Sequence, residues 1–142
     1  VPAESAEHDR AVARISHLPH LLAEALALAG AAGGDLALGL AAGSFRDGTR
    51  VAGTSPGLVR AMCEANGPAL LAALDETLAT LATARDALAA GSTADLVAAG
   101  HAAHDRYRTR ARPDITGVTP GAPGWLAALR DGGRRGGVLR TL

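Results

Sequence analysis

Two histidine pairs and one arginine-rich hexapeptide are the residues of this chain best suited to chemistry. His17 and His20 are three apart, as are His101 and His104. On a helix that spacing places both imidazoles on one face, where they can hold a metal or offer hydrogen bonds to a ligand. A metal site would want a third protein ligand, and only Asp9 or Glu24 is near the first pair in sequence, so no metal is expected. His101 and His104 lie among Asp105 and several arginines and read as a solvated helix face. The hexapeptide Phe45-Arg46-Asp47-Gly48-Thr49-Arg50 sets two guanidiniums around one carboxylate. A guanidinium is a planar fork of donors that matches a carboxylate in bidentate fashion. The segment is therefore either an anion-binding loop or an exposed ion pair of little energetic weight. Cys63 is alone, which excludes a disulfide framework and fits a small buried apolar residue.

These groups must be held by helices. Of the 142 residues, 48% are hydrophobic but only 2% aromatic, and the apolar content is mostly Ala and Leu. Alanine is the best helix former but buries little area, so closely packed helices around a thin core are expected, with a partner subunit supplying the missing apolar surface. Fourteen basic residues, all arginine, balance fourteen acidic ones. That balance gives no support for nucleic-acid binding. No signal peptide and no uninterrupted run of about 18 apolar residues is evident, which predicts a cytoplasmic protein with no membrane association. The first residue is Val rather than Met, which suggests a chain that begins partway through a longer gene product.

Residues from about 3 to 30 read as one helix, with Val12, Ile15, Leu18, Leu22, Leu26 and Ala29 at spacings of three and four. Pro19 removes the amide that would bond the Ile15 carbonyl and should bend the helix. The glycine-rich stretch Gly30-Ala31-Ala32-Gly33-Gly34 ends it. It follows a helix and lacks G-x-G-x-x-G spacing, so no dinucleotide site lies in this chain. Residues 44–55 show no periodicity and read as an ordered loop. Ser55-Pro56 predicts an N-cap and helix from 56 to 65, and Asn66-Gly67-Pro68 a stop and restart. Leu71, Leu74, Leu78, Leu81 and Leu88 then form a stripe that faces either the core or a subunit seam. Ser92 and Asp95 suggest a capping box for a helix over 93–111. Residues 1–112 form the helical domain; residues 113–142 are a Gly/Pro/Arg-rich tail with a short docking helix near Trp125–Leu129.

The segments HDRAVARISHLPH (8–20) and GSFRDGTRVAGTSPGLV (43–59), followed by Asn66, resemble the helical C-terminal domain of prephenate dehydrogenases and their arogenate-using relatives. The resemblance spans about residues 2 to 90. It implies an all-α bundle of the 6-phosphogluconate-dehydrogenase C-terminal type, forming an intertwined homodimer. It also implies an N-terminal dinucleotide-binding domain, absent from this chain, that holds NAD or NADP and supplies the catalytic histidine; this fragment would be inactive alone and contain no catalytic base. The substrate would be prephenate or arogenate, oxidised and decarboxylated in tyrosine biosynthesis. By the same resemblance Arg50 would hold the ring carboxylate and His20 would hydrogen-bond the substrate. Asp47 would orient Arg50 or join an ionic network, and His8, Ser16 and His17 would support the pocket. Gly43 and Val59 match positions that approach the substrate from the partner subunit; Val59 stands where the family often has Trp, which removes a large apolar wall. The bend at Pro19 would turn His17 and His20 toward the cleft. The competing reading is a non-catalytic helical dimerisation module.

Overall fold

The computed structural model describes residues 1–140. Every extended run of regular structure among them is helical, and the one extended feature is an isolated parallel bridge between Asp114 and Val138. The architecture is the all-α class expected from composition. The chain divides into two compact units: Asp9–Leu78, and Val1–His8 with Ala79–Leu142.

The unit Asp9–Leu78 contains the second half of α1 (Ser5–Val12), a π turn (Ala13–His17), α2 (Leu18–Ala32), α3 (Gly34–Gly39), α4 (Gly43–Thr49), a 3-10 turn (Arg50–Gly53), α5 (Pro56–Ala65) and the start of α6 (Gly67–Ala89). The irregularity forced by Pro19 appears just before it. The Leu18 amide donates to the Ala13 carbonyl, five residues back, and this widened turn accommodates a ring that a regular helix would press against the Ile15 carbonyl. The core is thin, as an Ala-rich sequence dictates. Ala13, Leu18, Leu70 and Ala73 form its centre, with Leu21, Cys63, Ala69 and Leu74 packed around them. The two alanines, on the π turn and α6, are small enough to let their backbones approach. Arg14 closes the same contact with a fork: its two terminal nitrogens donate to the two Glu76 oxygens at 2.6 and 2.7 Å.

Residues 44–55 are not the loop that their lack of periodicity suggests. Most of them lie in α4 and the 3-10 turn. A two-turn helix is too short to show an apolar repeat, and this one is stabilised from outside. The Phe45 ring lies on Gly30, where any Cβ would overlap it, and a Cβ at Gly48 would sit 2.8 Å from Leu26. Two caps also differ from expectation. The helix over 56–65 forms, but the Ser55 hydroxyl makes no capping bond; its carbonyl accepts the Leu58 and Val59 amides instead. Thr93, not Ser92, is the N-cap of α7 (Ala94–Thr109), and Ser92 accepts only a 3.3 Å bond from the Ala94 amide.

Of the leucine stripe of α6, Leu74 packs on the core of this chain and the other four do not. Leu70 and Ala73 face inward, whereas Leu71, Leu78, Leu81 and Leu88 are 52–68% exposed. Of the two faces the stripe could serve, the core is excluded for these four. In the other unit, α8 (Trp125–Arg134) is twice the length of its apolar island. It belongs to a folded tail: the Ile115 amide donates to Val138 and the Val138 amide to Pro113, both at 2.9 Å, and Ile115 packs on Gly132 and Gly137, where a Cβ would crowd it.

Candidate functional site

The π turn and α2 carry the SHLPH histidines into different surroundings. His17 is 8% exposed, the one buried polar residue among those described. The Asn66 side-chain nitrogen lies 3.3 Å from its Nδ1 and donates to the Asp9 carbonyl at 2.7 Å. An amide nitrogen has two hydrogens and can serve both acceptors; His17 then carries its own proton on Nε2. Asn66 thus does more than stop α5: it ties the start of the next helix to the imidazole and to the backbone before the π turn. Only its place in the motif pattern could have signalled this.

His20, one turn further on, is half-buried, and its Nδ1 is sealed from solvent with no hydrogen-bond partner among the described residues. A buried polar atom without a partner costs free energy of about 1–3 kcal/mol, and proteins retain such atoms where a ligand, ion or water completes them. Ser16, between the core face and the outside of the turn, is half-buried. His8 is exposed on α1 and falls in the other unit.

Arg50 opens the 3-10 turn that packs against α2, and α4 packs on the same helix. The elements bearing His20 and Arg50 are therefore neighbours. Arg50 is exposed, and its guanidinium has no hydrogen-bond or ion-pair partner among the described residues. Asp47 does not orient it: its carboxylate receives Arg46 Nε at 3.3 Å, an exposed contact. Either guanidinium could have taken that carboxylate. The structure gives it to Arg46 and leaves Arg50 without a partner among the described residues.

Gly43 is half-buried at the start of α4. Val59 is 7% exposed and so faces the interior of its own chain, while its neighbour Leu58 is 62% exposed. If a second chain meets this stretch, Leu58 is the side chain it would find. A cavity of about 520 Å³ lies elsewhere, between Pro113–Val118 and α8, and none of these residues lines it. Among the described residues no three His, Cys, Asp or Glu side chains gather in a way that could hold a metal ion.

The family model described as "Prephenate dehydrogenase, dimerization domain" matches residues 4–99. The chain belongs to that family. It is 42% identical over 92 residues to a cyclohexadienyl dehydrogenase of Zymomonas mobilis, covering 60% of this chain and 31% of that protein. A candidate prephenate dehydrogenase of Corynebacterium glutamicum, known by crystal structure, superposes over the whole chain with a TM-score of 0.93 and 46% identity, matching 45% of its own length. The Synechocystis arogenate dehydrogenase superposes with a TM-score of 0.67 and 34% identity, covering 72% of this chain and 40% of its own. The chain thus spans less than half the length of each of these relatives. The superposition on the Corynebacterium structure takes in the tail, beyond the residues that the prephenate dehydrogenase dimerization-domain model matches.

Proposed function

We propose that this chain is the substrate-binding and dimerisation part of a prephenate dehydrogenase. The whole enzyme would oxidatively decarboxylate prephenate to 4-hydroxyphenylpyruvate, with NAD or NADP as acceptor; arogenate, giving tyrosine directly, is the alternative. The observation that carries this reading is the exposed Arg50 guanidinium, without a partner among the described residues, on a turn packed against the helix that bears half-buried His20. A cation without a counter-ion, on an element next to one that bears an imidazole, is what an incoming polar anion completes. Two supports stand behind them: the match to the family, and relatives named for prephenate, arogenate and cyclohexadienyl substrates.

Prephenate is a dianion whose ring becomes aromatic as carbon dioxide leaves. Aromatisation supplies the driving force, so the protein's part is to hold the two anionic groups in place. In this role Arg50 binds the ring carboxylate and His20 donates or accepts a hydrogen bond to the bound substrate. Asn66 and Ser16 hold the turn that aims His20. A clamp that bound the carboxylate more tightly in the ground state than in the transition state would slow its loss, which favours one guanidinium over several. The dinucleotide does not fit the residues present. Gly30 is covered by the Phe45 ring, a Cβ at Gly33 would meet Ala37, and this glycine run follows α2 rather than a strand. Its binding, and proton removal from the substrate hydroxyl, are assigned to a domain outside residues 1–142.

Apolar exposure within each unit supports dimerisation. Ile15, Leu28, Leu36, Leu40, Leu58 and Leu71 of one unit, and Leu88 and Val97 of the other, are at least 60% exposed. Large apolar side chains exposed to this extent fit burial against a partner subunit. The stretch Ser5–Ala32 is long and apolar enough, by length and composition alone, to cross a bilayer. It also carries Glu7, Asp9, Arg10, Arg14 and Glu24 with Pro19 in its interior, so we read it as an interface helix of a cytoplasmic homodimer.

The test joins this segment to its dinucleotide-binding domain and follows NAD(P)H formation with prephenate and with arogenate. Arg50→Ala is expected to raise KM by about 10- to 150-fold, the loss of a charged hydrogen bond of about 1.5–3 kcal/mol. An unchanged KM would remove Arg50 from the site. Inactivity of the joined wild-type protein toward both substrates would favour the non-catalytic dimer module.

A further inference from the structure

The first eight residues do not group with the unit that the rest of their helix enters. They group with Ala79–Leu142. Three contacts to α8 account for this. Arg130 meets Glu4 at 2.5 Å, and Arg134 Nε donates to Glu7 Oε1 at 2.8 Å while its Nη1 donates to Asp131 at 2.6 Å. Between them, Gly133 is buried so closely against Pro2 that any Cβ there would overlap the Pro2 carbonyl oxygen. The glutamates stand at the start of α1, where the helix dipole already favours negative charge. Two arginines one helical turn apart thus meet two glutamates three apart, around a backbone contact that only glycine permits. Nothing in the substrate-binding role requires this, and it joins residues 127 apart in sequence.

We propose that α8 is a strap that fixes residues 2–7, and that Gly133, Arg130 and Arg134 are positioning residues for the reaction. The inference rests on the functional reading above: if a dinucleotide domain precedes this chain, residues 2–7 are the segment through which it is attached. Its orientation then depends on how firmly they are held. Transfer between a nucleotide on one domain and a substrate on the other is sensitive to ångström-scale misplacement. A fastened attachment point narrows that freedom, whereas a loose one allows unproductive arrangements of the two domains. The residues assigned to the substrate, His20 and Arg50, lie outside the strap.

Two readouts separate the strap from the function. In hydrogen–deuterium exchange on this chain, Gly133→Ala should speed exchange of the amides of residues 3–8 by about tenfold or more. Amides of residues 56–78 should be unaffected. In the two-domain enzyme the same variant should lower kcat about tenfold with substrate KM unchanged. Because an added methyl in a buried position can also disturb folding, the charge exchange Glu7→Arg with Arg134→Glu supplies the second arm: each single change should loosen residues 3–8, and the pair should recover part of the protection and kcat that the single changes lose, Arg134 also serving Asp131. Unaltered exchange in Gly133→Ala and in both single charge variants would overturn the strap. Faster exchange with unaltered kcat would overturn its positioning role. Wild-type protein inactive on both substrates would remove the functional reading and with it the kcat arm, while exchange still decides whether the strap exists.

Discussion

The two units of this chain are held together by different forces. Asp9–Leu78 is built around Ala13, Leu18, Leu70 and Ala73, and its one buried polar side chain, His17, is matched by Asn66. Val1–His8 with Ala79–Leu142 has Leu129 as its one buried large aliphatic among the described residues, and relies on glycine contacts and on Arg–Glu and Arg–Asp pairs such as Arg130–Glu4 and Arg140–Asp114. Apolar packing is insensitive to salt, whereas exposed ion pairs are individually weak and screened. The unit carrying the candidate site is therefore the one whose geometry depends less on ionic strength. The unit carrying the strap can be loosened by salt without disturbing the site.

The largest effect should come from the packed side. Leu70→Ala removes a 5% exposed side chain from the centre of the thin core and should destabilise the protein by about 2–5 kcal/mol in chemical denaturation. A loss below about 1 kcal/mol would mean that the core is not where Asp9–Leu78 gains its stability. A smaller effect tests the polar half of the same unit. Asn66→Ala leaves the His17 Nδ1 and the Asp9 carbonyl without their amide and should cost about 1–3 kcal/mol. Asn66→Asp should not restore it, since a carboxylate cannot donate to either acceptor.

The smallest effect concerns the exposed fork. Arg14 beside Glu76 holds the Glu76 carboxyl below its ordinary value, first through the hydrogen bond and then through charge, and raises the Arg14 guanidinium correspondingly. A carboxyl depressed in the folded state contributes stability above its unfolded pKa of about 4.3, and that contribution is lost as pH falls through the folded value. The Tm difference between wild type and Arg14→Gln should accordingly be small at pH 7 and vanish on acidification below the carboxylate range. A difference that grew as pH fell would contradict the pairing. Both side chains are more than half exposed, so added salt should shrink the difference as well.

What the sequence made legible follows from how local each feature is. The boundaries of α5 and the break at Asn66-Gly67-Pro68 depend on adjacent residues and were readable. The irregularity at Pro19 was also local, though it took the form of a π turn on its N-terminal side. Residues 44–55 were misread because α4 is stabilised by Phe45 on Gly30 and by Gly48 against Leu26, contacts 15 and 22 residues distant that leave no periodic trace. The tail hides its structure for the same reason: Gly132, Gly133 and Gly137 look like linker composition until Ile115 and Pro2 are found on top of them. In the site, the motif pointed to His20 and Arg50. It did not reveal which arginine Asp47 would take, because two guanidiniums flanking one carboxylate are equivalent on paper. Nor did it show that Val59 turns inward. That depends on the packing of α5.

The central claim is that His20 and Arg50 receive one ligand. A crystal structure of the two-domain protein with prephenate or a stable dianionic analogue tests it most directly. The expected result is a ligand polar atom at about 2.7–3.2 Å from a His20 ring nitrogen and a carboxylate of the same molecule on the Arg50 guanidinium. A ligand bound without contact to either residue would contradict it.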